Sequence, residues 1–335
     1  MLENYWYIAC RGKALKNKPV PFTLFNRHMV LFRDRNNQPA ALEDRCQHRN
    51  ARLSCGSIVE GTVRCPYHGW RYDQSGKLAE IPYSDTDPAD DHSPVPSFPC
   101  CEQNGYIWVS PGQPAASKPY PFPHLDEPGW VSFRMNTLFD GPVESCLENF
   151  LDCPHATHVH RHWFRTPTSK SVKATIRTLD DGAIVEYFSE PREKSVVWLL
   201  LSPGKEQMKH TDRFIAPATS RVDYKFTNDR EYIITSSCTP IDEASTRVHT
   251  VISFRFGKIA PLVRLFFEPL SRLIIKQDVR IIRQQQANIR RFGKADFTVI
   301  EQDVLFKPIL AWRKALRDGT PPPKAGEESH INMRL

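Results

Sequence analysis

Cys46-Gln47-His48 and Cys65-Pro66-Tyr67-His68, separated by the 16 residues 49–64, decide how this chain is read. Each segment offers one thiolate and one imidazole. Two Cys and two His on paired turns suit a binuclear iron–sulfur cluster in which one iron takes thiolates and the other takes imidazoles. A structural zinc site usually keeps its two Cys in one half of the motif and its two His in the other. Here each half carries one of each, so each iron would draw one ligand from each loop.

Outward from these segments, Tyr5 to Val109 reads as short strands broken by turns (PFTLFNRHMVLFRD, AALEDRC, GTVRC, GYIWVS), a small antiparallel β domain. Residues 111–128 (PGQPAASKPYPFPHLDEP) are rich in Pro and small residues, as a linker is. The expected division is therefore 1–115 and 116–335. Beyond it, Val143 to His160 holds a helical stretch rich in potential ligands. Alternating segments follow (TIRTLDDGAIVEYFSE, VVWLLLS, TDRFIAPAT, RVDYKFTND, EYIITSSCTP, RVHTVISFRFG), the pattern of an antiparallel meander with one buried face. The stretch from Ala260 to Gly293 has apolar residues at helical spacing, with Pro269 expected to begin a new helix. The predicted fold class is α+β, with a long helix over a curved sheet enclosing a cavity.

The first site resembles the Rieske [2Fe-2S] family, and the match runs past the ligands to His48-Arg49, Leu53-Ser54 and CPYHGWRYD from Cys65 to Asp73. Respiratory members add a pair of cysteines that closes a disulfide beside the cluster; the corresponding residues here are Ala51 and Tyr67. The resemblance is thus to the lower-potential oxygenase type, and it implies Cys46, His48, Cys65 and His68 as cluster ligands. Arg45, Arg49, Arg52, Arg64 and Arg71 lie near them, either as a positive collar for an acidic electron donor or as local salt bridges holding the loops.

Residues 148–160 concentrate Glu148, Asp152, His155, His158 and His160, with His162 following. An Fe(II) site with positions left open for O2 needs two His and one carboxylate. Helical spacing alone favours His155 with His158, because a step of five residues turns about 140° beyond a full turn. The stretch resembles the N-x2-D-x2-H-x4-H pattern of Rieske oxygenase catalytic subunits, here Asn149, Asp152, His155 and His160. That resemblance implies His160 as the second ligand and a helix distorted or ended before it. It also implies Asp278, in QDVRIIRQQ, as the distant carboxylate ligand. Asp152 suits a carboxylate that orients the His155 imidazole, and in the family it bridges to the cluster of the next subunit, which implies a homotrimer. The implied fold of the second domain is the helix-grip, START-like one.

Across 335 residues, 40% hydrophobic and 25% charged, the composition is that of a packed globular protein. The net charge of +7 is scattered without a nucleic-acid motif, so nucleic-acid binding is not expected. No apolar run approaches the roughly 20 residues of a membrane span, and the N-terminal residues build no secretory core; a cytoplasmic protein with no transmembrane segment is expected. Nine cysteines in that setting read as thiols and ligands. No G-x-G-x-x-G strand-to-helix fingerprint is present, so NAD(P)H would act only through a separate reductase, with or without a ferredoxin. Expected cofactors are one [2Fe-2S] cluster and one mononuclear Fe(II), with O2 as co-substrate. The length and D-x2-H-x4-H form resemble the O- and N-demethylase, carbazole-type and ketosteroid-hydroxylase group, which implies hydroxylation or oxidative dealkylation. Phe214, Phe226, Ile234, Phe254, Phe256, Leu265 and Phe266 are candidate pocket residues for an apolar aromatic or polycyclic substrate. The alternative is a Rieske electron-transfer or redox-sensing protein, which would need no His155, His160 and Asp278.

Overall fold

The computed structural model describes residues 2–84, 93–161, 163, 171–188, 208–227 and 229–334. His162 and the expected strand VVWLLLS (residues 196–202) lie outside them. The chain divides into two compact units, Glu3–Pro121 and Phe122–Leu335, the second joined by the first two residues. The division falls within the Pro-rich segment.

The N-terminal unit is all β. Strands β1 (Tyr7–Arg11), β10 (Cys100–Gln103) and β11 (Tyr106–Val109) form one sheet. β2 (Val20–Leu24), β3 (Arg27–Arg33), β4 (Pro39–Glu43) and β9 (Ser97–Phe98) form a second. The third, β5 (Ser57–Val59), β6 (Thr62–Arg64), β7 (Arg71–Tyr72) and β8 (Leu78–Glu80), carries the second cysteine loop. Val30, Phe32, Leu42, Leu53, Val63 and Tyr72 pack into one buried cluster that also takes in Cys46 and Cys65. At about 1.5–3 kcal/mol for each fully buried large apolar side chain, this core fixes the strands from which both loops spring.

The second unit is built on an eight-stranded antiparallel sheet in the order β12 (Val131–Phe139), β18 (Thr246–Arg255), β17 (Glu231–Pro240), β16 (Thr219–Phe226), β15 (Met208–Ile215), β14 (Gly182–Phe188), β13 (Ser171–Leu179) and β19 (Glu328–Arg334). Because side chains alternate along a strand, register sets rows that run across one face. One row is aromatic: Tyr187, His210, Tyr224, Tyr232, Phe254. The next reads Val185, Asp212, Val222, Ile234, Ile252, Phe133. The third includes Phe214, Ser220, Ser236, Thr250 and Met135. Together with strands outnumbering helices in this unit, the two units make an α+β protein.

Helix α1 (Val143–Leu151) and helix α2 (Ala260–Phe292) close over these rows, and α3 (Phe306–Asp318) ties back to α1 through Arg313 and Glu144 at 2.8 Å. The buried positions of α2 (Phe267, Ser271, Asp278, Ile282, Gln286) recur at three- to four-residue multiples, one stripe of a single helix. Contrary to the sequence expectation, α2 runs straight through Pro269. Pro269 is exposed, so the carbonyl one turn earlier, deprived of its N–H partner, can be hydrated instead of breaking the helix. Gly293, left-handed at φ 74°, ends it. No helix among the described residues is long and apolar enough to cross a membrane.

Candidate metal centres and cavity

Cys46 opens a turn closed by its own backbone, its N–H donating to Ala51 O at 2.9 Å and its carbonyl accepting from Asn50 N at 2.9 Å. Cys65 N–H donates to Trp70 O at 2.8 Å, and the loop between them turns at Gly69, whose φ of +78° favours glycine. The two loops bring like to like. The Cys46 and Cys65 thiols share one buried cluster, and burial pushes the Cys65 thiol up, with Cys46 adding to the rise. The His48 and His68 rings lie 4.5 Å apart. His48 is held flat against Trp70, 4.7 Å and 4° between planes, and its buried Nδ1 has no hydrogen-bond partner.

A thiol pair at one end and an imidazole pair at the other fits a binuclear cluster. The zinc alternative fares worse: four ligands of one tetrahedral ion would crowd within about 4 Å of one another. Among the described residues, the one set of three or more ligand atoms all within 4.8 Å of each other lies elsewhere. Tyr72 Oη, accepting from Gln47 N–H, stands 3.3 Å from Cys46 Sγ and can donate to it. Of the nearby arginines, Arg45 pairs with Glu43 (2.7 Å), Arg52 with Asp44 (3.4 Å) and Arg71 with Glu60 (3.0 Å) and Glu80 (2.5 Å). Those three hold the loops; Arg49 and Arg64 are exposed without an ion pair among the described residues.

The compact set is His155, His160 and Asp278. Helix α1 stops at Leu151, Asp152 leaves the helical region (φ −92°, ψ 96°), and a 3-10 turn over Pro154–Thr157 carries His155. Ideal helix spacing therefore does not govern the step from His155 to His160, and His158, which that spacing favoured, is exposed. The His155 Nδ1–H donates to the backbone carbonyl of Asp152, one of the carbonyls orphaned by the helix end. The Asp152 carboxylate lies farther off, Oδ2 at 3.8 Å from Nδ1. Orientation of this ring thus comes from the main chain and not from the carboxylate, as the sequence had suggested. His160 Nδ1–H donates to Gln277 Oε1 at 2.8 Å.

With both Nδ1 atoms donating to carbonyls, both Nε2 atoms present lone pairs. They face each other at 3.3 Å, and Asp278 Oδ1 lies 3.6 Å from His155 Nε2 and 3.0 Å from His160 Nε2. That oxygen is buried with no hydrogen-bond donor. Neighbouring ligands bound about 2.1 Å from one ion sit about 3 Å apart, so this convergence of acceptors fits a single cation held by two His and one carboxylate. Burial would lower the His155 pKa, but Asp278 outweighs it and raises it above its ordinary value. Burial would likewise raise the Asp278 carboxyl, yet His155 and His160 hold it below the usual range. Burial and the Asp152 charge push the neighbouring Glu148 up to about 7.

The triad lies in the wall of a cavity between the sheet and helices α1 and α2. Its lining is mainly apolar, including Phe150, Val222, Tyr224, Ile234, Ile252 and Ile274. Of the residues expected to line it, Ile234 does; Phe214, Phe226, Phe254 and Phe256 are buried core. Leu265 and Phe266 are exposed (67% and 59%), because they fall on the outer side of the uninterrupted α2. Sequence reasoning missed Gln277, although it stands beside Asp278 in the quoted stretch. It also found no charged anchor for a substrate, whereas His210 and Asp212 both line the cavity, paired at 2.9 Å. Their i, i+2 spacing on an alternating strand was the available signal.

A β unit that pairs two thiols with two imidazoles, and a second unit that sets two histidines and a carboxylate in a cavity wall, define the architecture of Rieske-type non-haem iron oxygenases. Residues 5–99 match the Rieske [2Fe-2S] domain, and residues 139–318, more than half of the chain, match the vanillate O-demethylase oxygenase C-terminal domain; the chain belongs to this Rieske oxygenase family, whose members use the cluster, a mononuclear iron and O2. The chain is 26% identical over 335 residues to chlorophyllide a oxygenase of Arabidopsis thaliana, covering 95% of this chain and 58% of that protein. It is 34% identical over 164 residues to the oxygenase component of dicamba O-demethylase from Stenotrophomonas maltophilia, 48% of each. The chain spans between 25% and 58% of the length of the chlorophyllide a oxygenases it matches. In fold it is similar to dicamba monooxygenase bound to 3,6-dichlorosalicylic acid, with TM-score 0.82 at 22% identity, covering 95% of this chain and 98% of that one.

Proposed function

We propose that the chain is a terminal oxygenase that hydroxylates or oxidatively dealkylates an apolar aromatic or polycyclic small molecule. Electrons come from a separate NAD(P)H-dependent reductase, with or without a ferredoxin, and the protein works as a cytoplasmic homotrimer. The observation that carries this reading is the convergence of His155, His160 and Asp278 at a cavity wall. An electron carrier would use only the N-terminal unit and would have no use for a buried three-acceptor set beside an apolar cavity.

In this reading Cys46, His48, Cys65 and His68 hold the [2Fe-2S] cluster, and His155, His160 and Asp278 hold the iron. When bound, the cluster supplies single electrons and the ferrous ion activates O2. The chain's own contribution is positional. The Asp152 carbonyl and Gln277 fix the tautomer and direction of the two imidazoles. Asp278, on rigid α2, balances cationic charge inside the cavity. The apolar lining excludes water and holds the substrate beside the triad. Asp152, half-buried next to His155, is the carboxylate through which a neighbouring subunit's cluster would communicate.

The test is metal and sulfide content with electron paramagnetic resonance of the reduced protein, native against a His155→Ala, His160→Ala double variant. Loss of one iron per chain in the variant, with the reduced-cluster signal intact, supports the two-site oxygenase. Equal iron content in both would return the electron-carrier reading.

A further inference from the structure

Asp212 is a carboxylate set in an apolar row: Val185, Val222, Ile234, Ile252 and Phe133 flank it across the sheet. It is 3% exposed and lines the cavity. His210, two residues earlier on the same face, donates Nε2–H to Asp212 Oδ1 at 2.9 Å. The His210 ring is clamped between Tyr187 and Tyr224, at 4.6 and 4.4 Å with near-parallel planes. The donor is therefore fixed, and with it the carboxylate. Among the described residues only His210 donates to Asp212, so Oδ2 has no donor among them, in a row across the sheet that is otherwise apolar. A buried carboxylate carries a desolvation cost that persists until its oxygens are hydrogen-bonded.

We infer that Asp212, oriented by His210, is the polar anchor of the cavity and selects ligands carrying an O–H or N–H donor on an apolar ring, against anionic ones. The donor accepted by Oδ2 replaces water there and fixes which end of the molecule faces away from the anchor, while the ring lies on the apolar rows. Anions are disfavoured because the Asp152 carboxylate lines the same cavity as Asp212. Calling the ligand a substrate rests on the oxygenase reading; the binding preference itself does not.

The experiment is anaerobic calorimetry of the metal-loaded full chain with three probes of one shape: naphthalene, 2-naphthol and 2-naphthoate, at neutral pH without an electron donor. A hydrogen bond to a buried charge makes 2-naphthol bind about 10- to 100-fold tighter than naphthalene, with 2-naphthoate weakest. Asp212→Asn keeps the shape and an acceptor for His210 but turns a donor toward the cavity; in it the 2-naphthol advantage falls to about threefold or less while naphthalene affinity holds. A general packing defect would weaken all probes alike and leave the ratio unchanged. The inference is overturned by a ratio near one in the native protein, by the ratio surviving in Asp212→Asn, by 2-naphthoate binding best, or by none of the probes binding. The same titration on the His155→Ala, His160→Ala variant separates the two readings. Selectivity retained there, alongside no difference in iron content between native and variant, would leave the Asp212 anchor standing while the oxygenase reading fell.

Discussion

Asp278→Asn separates an ion site from a structural ion-pair network, because its effect on the metal-free chain should change sign with pH. The folded pKa of His155 is raised above its ordinary 6.5, so the stability it gains from Asp278 is fully present below 6.5 and is lost as pH rises through the folded value. The folded pKa of Asp278 is depressed below 3.8, so its contribution is present above 3.8 and is lost as pH falls through the folded value. At about pH 5.5 both partners are charged, and removing the carboxylate breaks a buried pair, a loss of about 3–5 kcal/mol. Above the folded His155 value that ring is neutral and Asp278 Oδ1 faces ring nitrogens that accept; the asparagine amide then donates to His160 Nε2, a gain of about 1 kcal/mol. For a unit of roughly 200 residues, at about 2–4 °C per kcal/mol, chelator-treated variant protein should melt about 6–20 °C below native at the lower pH. At the higher pH it should melt about 2–4 °C above native. Thermal unfolding followed by circular dichroism at both pH values, with and without added Fe(II), reads this directly. The metal should raise the native melting temperature and leave that of the variant nearly unmoved. Equal destabilisation at both pH values, with the same response to metal, would falsify the account of three converging acceptors.

Gln277→Leu removes the acceptor that fixes the His160 tautomer and should weaken Fe(II) binding about 10- to 100-fold in competition with a chromophoric chelator; unchanged affinity would show that the 2.8 Å bond is incidental. Tyr72→Phe deletes the donor to Cys46 Sγ and should lower the cluster's reduction potential with its optical spectrum retained, whereas a potential that stays put removes Tyr72 from the electronics. Glu148 has a folded pKa of about 7 against 4.5, so its charge destabilises the metal-free fold above pH 7 and costs nothing below 4.5. Glu148→Gln should therefore stabilise the metal-free chain by up to ~3 kcal/mol above neutrality and leave melting in acid unchanged; stabilisation that is the same at both ends of the range would contradict it.

The two sites were legible to different depths for a physical reason. Cys46, His48, Cys65 and His68 sit in two short turns, so sequence spacing and spatial arrangement nearly coincide. At the second site the decisive fact is where α1 stops. Spacing on an unbroken helix pairs His155 with His158; only the departure of Asp152 from helical angles puts His155 and His160 face to face. Asp278, over a hundred residues further on, was reached by resemblance, since nothing local distinguishes it from a surface aspartate between Lys276 and Arg280. The pocket was the least legible part. Leu265 and Phe266 look like cavity residues if Pro269 breaks the helix, and an exposed proline does not break it. His210 and Asp212 were passed over because an alternating strand says which residues share a face, not whether that face meets water.

The two imidazoles are held by different means, and this makes the site asymmetric under mutation. His155 is oriented by a main-chain carbonyl freed by the end of α1, which no side-chain substitution at Asp152 can delete. His160 is oriented by a side chain, Gln277, and that residue adjoins Asp278 on α2. One rigid helix thus places both a candidate ligand and the group that orients another, so a shift of α2 moves the two together and leaves His155 where α1 holds it. The opening of the triad, and with it the fit of any ion, depends on how α2 seats against α1 and the sheet. That seating is set by Phe267 against Tyr232, 5.2 Å between ring centroids, and by buried Ile282. Core packing by residues that supply no ligand therefore controls its geometry, and large-to-small changes at these two positions act on metal affinity through the helix.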